Sequence, residues 1–197
     1  IWSASRVWTD CFIDFCTSLA HRTLIGLDFT NPENVTDSMT KLGIILEREE
    51  EAEAYNKWYE EKVAQIKSAV KGLSQKKVYI ESGSSTGVSE LTIYGSGSGF
   101  SSLVNMAGGY NVANDLLERF PKVSWEWAIT QNPDVILKYK SADTLGWEKG
   151  PSKDTLDLEK SRREVLERAG AESIAAVKND RVFLCFSEML YGLDNAV

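Results

Sequence analysis

The chain has 197 residues, 29 of them acidic and 22 basic, for a net charge of −7. That length allows one good core or two modest lobes, and the acidic balance argues against a nucleic-acid partner, whose affinity rests on clustered Lys and Arg. No run approaches the roughly 18 apolar residues that a membrane span requires.

The first residue is not Met and no secretory leader is evident, which reads as a processed or trimmed product. A secreted protein would have lost its leader, so this does not imply a cytoplasmic location. Residues 1–22 are rich in aromatics and read as a helix, with Trp8, Phe12, Phe15 and Leu19 near one face. Residues 23–29 read as a strand. Asn31-Pro32 is a good helix start, an N-cap followed by proline at the first helical position. From 36 to 73 apolar residues recur at three- and four-residue steps, among them Leu42, Ile45, Ala52, Tyr59, Val63, Ile66 and Val70. Thirty residues of helix would span about 45 Å, which suits a strut between lobes, with Gly43 as a bend near its start. The pattern lacks the sustained heptads of a coiled-coil arm.

After Gly72 the period changes to βα alternation. Residues 77–81 read as a strand. A Gly- and Ser-rich loop follows over 83–99, with an apolar interruption at 91–94. A helix over 100–107 ends at Gly108-Gly109. Ser124 caps a second helix, stopped by Asn132-Pro133. Val135-Ile136-Leu137 is a continuous apolar run, as in a strand covered on both faces. A polar loop from 141 to 157, helices to 177 and a strand at 181–186 complete the series. Strands alternating with helices imply a mostly parallel α/β sheet with right-handed crossovers.

Few residues invite catalysis. His21 is the only histidine and sits at an ordinary helix end, so neither Cys11 nor Cys16 has a plausible base. Cys11, Cys16 and Cys185 read as small buried hydrophobes, and one His without a C-x-x-C leaves no zinc site. Gly95-Ser96-Gly97-Ser98-Gly99-Phe100 has Phe where the dinucleotide fingerprint needs Gly, and no Gly-Lys-Ser/Thr follows. It reads as a crossover turn or a ligand-facing loop. The carboxylates lie mostly on solvated helix faces, and no glycosidase-like pair stands out. The expectation is a protein that is not an enzyme, with no metal and no cofactor. Aromatics tell more. Tyr139 ends a strand, Trp147 lies in the loop after it, and Tyr94 follows the preceding strand. Ligands of open α/β sheets bind outside the carboxyl ends of strands, so Tyr94, Tyr139 and Trp147, with Ser187 beyond the last strand, are candidate ligand contacts. Each aromatic also reads as a plug for its loop.

Several segments carry a resemblance. A helix ending A-G-G-x-N-V precedes S-x-E-x-x-x-x-x-N-P-D-V-I, over Ala107 to Ile136. Leu42-Gly43 precedes a long charged helix, and Ile93-Tyr94-Gly95 precedes the Gly/Ser turn. Ala175-Ala176-Val177-Lys178-Asn179-Asp180-Arg181-Val182-Phe183 has Asp180 where glycine is usual. Together these resemble, over roughly 23–190, the class III substrate-binding proteins of ABC importers for iron–siderophores, haem and cobalamin.

The resemblance implies three parts. Residues 1–35 would be a remnant of an N-terminal lobe, 36–73 the interlobe helix, and 74–197 the C-terminal lobe. It implies an extracytoplasmic receptor that captures a metal chelate, an iron–siderophore first, between two lobes and hands it to an ABC permease. Corrinoid or haem is the alternative within the family, and a nitrogenase-like metallocluster or enzyme domain the alternative outside it. Glu126, otherwise an exposed helix glutamate, would meet permease arginines. A remnant lobe with Trp2, Trp8, Phe12 and Phe15 would leave apolar area in water, so self-association and weak ligand binding by half a cleft are further expectations.

Overall fold

Asn31 and Pro32 act as the sequence predicts. The Asn31 side chain accepts the Glu33 N–H and Pro32 opens a 3-10 turn, Pro32–Asn34, that runs into helix α1, Val35–Leu46. The computed structural model describes residues 25–83, 85, 87–140 and 155–186. The readings of the first helix and of His21, Cys11, Cys16, Trp147 and Ser187 fall outside them.

The expected strut is two helices. After α1 the chain turns at Glu47, a left-handed residue (φ 54°, ψ 47°) whose neighbour Arg48 donates its N–H to the Gly43 carbonyl, and restarts as α2, Glu49–Val70. The two fold back antiparallel. The Asn56 amide donates to the Thr36 carbonyl (3.1 Å) and to Thr40 Oγ1 (2.9 Å), and the Tyr59 hydroxyl to the Pro32 carbonyl (3.0 Å). Gly43 is required by this approach, because a Cβ there would lie 2.5 Å from that of Ala52. No glycine or proline marks the break; the signal available was Glu49, Glu50 and Glu51, three acids at a helix amino terminus. The second helix alone is 22 residues, about 33 Å.

The expected strand at 23–29 is not formed over its described part, where 25–29 are irregular. Side chains replace a sheet neighbour there: Asp28 N–H donates to Ser38 Oγ (2.9 Å), and the Ser38 hydroxyl donates to the Asp28 carbonyl (3.1 Å).

The βα alternation gives the predicted α/β architecture. Strands β1 (Lys77–Ser82), β3 (Tyr110–Asn111), β5 (Val135–Lys140) and β6 (Val182–Phe186) form one parallel sheet in the order β3-β1-β5-β6. A small antiparallel ribbon pairs β2, Leu91–Thr92, with β4, Lys122–Val123. Helices α3 (Gly99–Met106), α4 (Trp125–Gln131), α5 (Thr155–Leu166) and α6 (Ala175–Lys178) connect them. Ser98 and Ser124 cap α3 and α4 through their hydroxyls. Asp180 has φ 56°, so it supplies the left-handed turn that glycine would otherwise take.

The period of two sorts each strand's side chains. Val78 and Ile80 pack with Phe100 and Tyr139 on one face. Tyr79 and Ile136 join Trp125, Ala128, Val165, Ile174 and Val182 on the other. Each such large apolar side chain contributes roughly 1.5–3 kcal/mol by leaving water. Among the described residues no helix is long and apolar enough to cross a membrane.

Candidate functional site

From β1 the chain moves to β3 on one side, then returns past β1 to β5 and β6. The crevice at the carboxyl ends of β1 and β5 is therefore the switch point of the sheet, where open α/β folds bind ligands. Tyr94 reaches it because its N–H donates to the Ile80 carbonyl (3.0 Å), which pins the segment after β2 along β1. Tyr139 is delivered by the pleat of β5.

The structure brings these two predicted residues together. Their ring centroids are 5.8 Å apart, nearly perpendicular. Phe100 stacks on Tyr139 at 4.3 Å and meets Tyr94 edge-on at 4.5 Å, and Phe120 meets Tyr94 at 5.7 Å. Tyr94, Phe100 and Phe120 line a cavity of about 150 Å³ with Thr30, Ser98 and Arg119. Tyr139 is only 6 % exposed and stands behind this wall, supporting the other two rings. Its phenol is pushed well up by burial, and further by the Cys185 thiol and Tyr94, so it stays protonated. Burial likewise raises the Cys185 thiol, which makes it a poor nucleophile.

Arg119 and Phe120 were not singled out in the sequence. The Arg119 guanidinium carbon lies 5.2 Å from the Phe120 ring centroid, which holds a cation at an aromatic wall. The basic–aromatic pair just before Pro121 was the readable signal, but only the fold carries it to the cavity: the Gly95 N–H donates to the Arg119 carbonyl (3.0 Å). The Gly/Ser turn has a packing explanation. A Cβ on Gly99 would overlap the Thr30 carbonyl oxygen, so only glycine lets the amino end of α3 meet the 25–31 segment.

Glu126 is exposed on the first turn of α4, away from the cavity lining. Its own backbone N–H and the Ser124 hydroxyl donate to its carboxylate and hold its pKa below the usual value. It is an ionised, solvent-facing charge.

On the opposite face of the sheet lies a cluster the sequence did not reveal. Glu81 of β1 and Lys138 of β5 are 0 % and 1 % exposed. Lys138 Nζ lies 2.8 Å from Glu81 Oε1 and 2.6 Å from Glu164 Oε2. Arg168 grips Glu81 with two nitrogens (2.7 and 2.8 Å) and reaches Glu164 at 2.8 Å. The Tyr79 hydroxyl donates to Glu81 (3.1 Å). Burial works against the charges of Glu164 and Arg168. Hydrogen bonds within the cluster outweigh it, so the carboxyl sits below and the guanidinium above its ordinary pKa. Two acids and two bases balance, so the cluster is neutral as a unit. A charged residue inside a predicted buried strand, as Lys138 is, was the signal for it.

The sequence profile of the family described as periplasmic binding protein matches residues 16–189. No curated protein matches the chain. Among solved structures, an ABC transporter substrate-binding protein from Listeria monocytogenes EGD-e is similar at 22% identity with TM-score 0.71, covering 95% of this chain and 70% of that one. S. aureus IsdE complexed with heme aligns at 21% identity and TM-score 0.68, over 95% and 69% of the two chains. An ABC-type Fe3+-hydroxamate transport system protein from Saccharomonospora viridis DSM 43017 aligns at 18% identity and TM-score 0.63, over 87% and 55%. At these identities the likeness is one of fold.

Proposed function

The chain belongs to the periplasmic binding protein family, and on that premise we propose that it is the extracytoplasmic receptor of an ABC importer, taking up a metal chelate of the iron–siderophore class. The observation that carries this reading is the cavity walled by Tyr94, Phe100 and Phe120 with Arg119 at its edge, whose rings rest on Tyr139 near the end of β5. Aromatic faces suit the apolar flank of a bulky chelate, and a guanidinium donates to its ligand oxygens. Similarity to proteins named for iron-hydroxamate and heme supports the general ligand class. In this proposal α2, rather than the whole of 36–73, is the helix that joins two lobes, and Glu126 is the permease contact. The parts on either side of α2 would be the N-terminal remnant with the hairpin's first helix and the C-terminal α/β lobe.

Titration by quenching of intrinsic fluorescence tests it, with ferric desferrioxamine B, haemin and cyanocobalamin as probes. We expect the ferric chelate to bind most tightly, and Arg119→Ala to weaken it by about tenfold, the loss typical of one charged contact. Tighter binding of haemin or cobalamin would move the ligand assignment. Absence of any binding would remove the cavity as the site.

A further inference from the structure

The cluster of Glu81, Lys138, Glu164 and Arg168 lines no part of the cavity, yet it reaches the loop that leads to Tyr94 and the amino end of α4 beside Glu126. The Lys138 ammonium directs its three donors to Glu81, Glu164 and the Ser85 carbonyl, the last at 3.0 Å. Ser85 lies in the loop that leaves the carboxyl end of β1, and it is 5 % exposed. Its Oγ accepts the Thr92 N–H (2.8 Å) and donates to the Thr92 carbonyl (3.2 Å), closing the loop onto the segment that leads to Tyr94. Arg168 reaches the other way. Its guanidinium carbon lies 4.8 Å from the Trp125 ring centroid, and the Trp125 indole donates to the Ala169 carbonyl (3.1 Å). The Trp125 backbone N–H donates to the Val88 carbonyl in the same β1–β2 loop (2.7 Å). Trp125 is the first residue of α4, and Glu126 is the next.

We infer that Lys138 and Arg168 are positioning residues: the charge quartet locks Ser85 and Val88 of the β1–β2 loop and the amino end of α4 into one body, so that the Tyr94 wall of the cavity and the Glu126 surface keep a fixed relation. This rests on reading those two places as ligand and permease contacts. The chemistry argues for geometry over adhesion. Burying Glu81, Lys138 and Arg168, with Glu164 half-buried beside them, incurs desolvation that apolar residues of the same volume avoid, and such replacements often hold a core equally well. Apolar packing cannot supply direction. Here every Lys138 donor has an acceptor, and Arg168 uses its fork on two carboxylates and its face on an indole.

Amide hydrogen exchange read by mass spectrometry tests this on the full chain, comparing wild type with Lys138→Met and Glu164→Gln. The Ser85, Thr92 and Trp125 amides are the reporters, since each donates within the locked unit. Exchange over 85–94 and 124–128 should speed up together by about tenfold or more, with the α1–α2 hairpin unchanged. A uniform rise through sheet and hairpin would mean general loss of packing and would overturn the inference. So would a rise in one segment alone. If Lys138→Met does not fold, Glu164→Gln carries the test, because that side chain is 32 % exposed and the change preserves its shape. A second arm titrates ferric desferrioxamine B into Glu164→Gln. Loosened segments with wild-type affinity would overturn the link to the cavity. A wild type that does not bind the chelate counts against the proposed function, and the exchange pattern still decides whether the lock exists.

Discussion

Asp28 shows how much one carboxylate can organise. Its Oδ1 accepts the Thr30 N–H (2.9 Å), the Thr30 hydroxyl (2.7 Å) and the Asn31 N–H (3.3 Å), and its Oδ2 accepts the Asn34 amide (2.9 Å). Partial burial pushes the carboxyl up, but these four donors together hold it below the ordinary carboxylate value. A depressed folded-state pKa stabilises the fold above the unfolded value, near 3.9, and that contribution is lost as pH falls through the folded value. Asp28→Asn should therefore cost about 1 kcal/mol at pH 7, once solvent screening of this partly exposed group is allowed for, and lower the thermal midpoint accordingly. The gap between variant and wild type should narrow as pH drops below about 4. Calorimetric midpoints across a pH series from neutral to acid would measure it, and a gap independent of pH would show that the charge is not what holds the turn.

Among the elements, the α1–α2 hairpin carries the sharpest test, because two geometries predict opposite signs. Glu47 sits in the left-handed region without being glycine, which costs roughly 1–2 kcal/mol. Glu47→Gly should relieve that strain and stabilise the chain. In a single continuous helix the same change would destabilise by about 1 kcal/mol. Urea denaturation separates the two, and a loss of stability would restore the strut. The hairpin also explains the position of Gly43. Alanine there should gain up to about 1 kcal/mol of helix propensity. The clash with Ala52 opposes it with about 1–3 kcal/mol of overpacking, so overpacking outweighs propensity and glycine is favoured.

For the molecule as a whole, the proposed function requires that capture and delivery occupy different surfaces. Glu126 is exposed on α4, whereas the cavity is walled by α3, the 91–94 segment and the loop before Pro121. Glu126→Lys should leave ferric desferrioxamine B affinity within about twofold, since the residue does not line the cavity. Stimulation of the reconstituted permease ATPase should fall by about tenfold, as expected when a charge meets its like across an interface. Weakened chelate binding with full stimulation would reverse the assignment.

The class of the fold is legible along the chain, because the switch from a 3.6-residue to a βα pattern after Gly72 and the caps at Asn31 and Ser124 are expressed in local hydrogen bonds. So is the placing of Tyr139 at the carboxyl end of a parallel strand, whereas Tyr94, which follows β2 of the antiparallel ribbon, reaches the same edge through its bond to the Ile80 carbonyl. The hairpin break left only the three acids after it as a signal: Glu47 is no breaker, and the close approach of Gly43 to Ala52 that accompanies its left-handed turn exists only between folded helices. Nor was the cavity's cation, since Arg119 is brought beside Tyr94 by a backbone bond from Gly95, far back in the chain. The charge cluster was least visible of all. Glu81 and Arg168 are 87 residues apart, and a charge looks solvated in one dimension until the fold surrounds it. Periodicity and capping are near-neighbour physics, so a linear reading reaches them. The pairing of buried charges and the making of a cavity depend on distances between remote segments, and those exist only once the chain has folded.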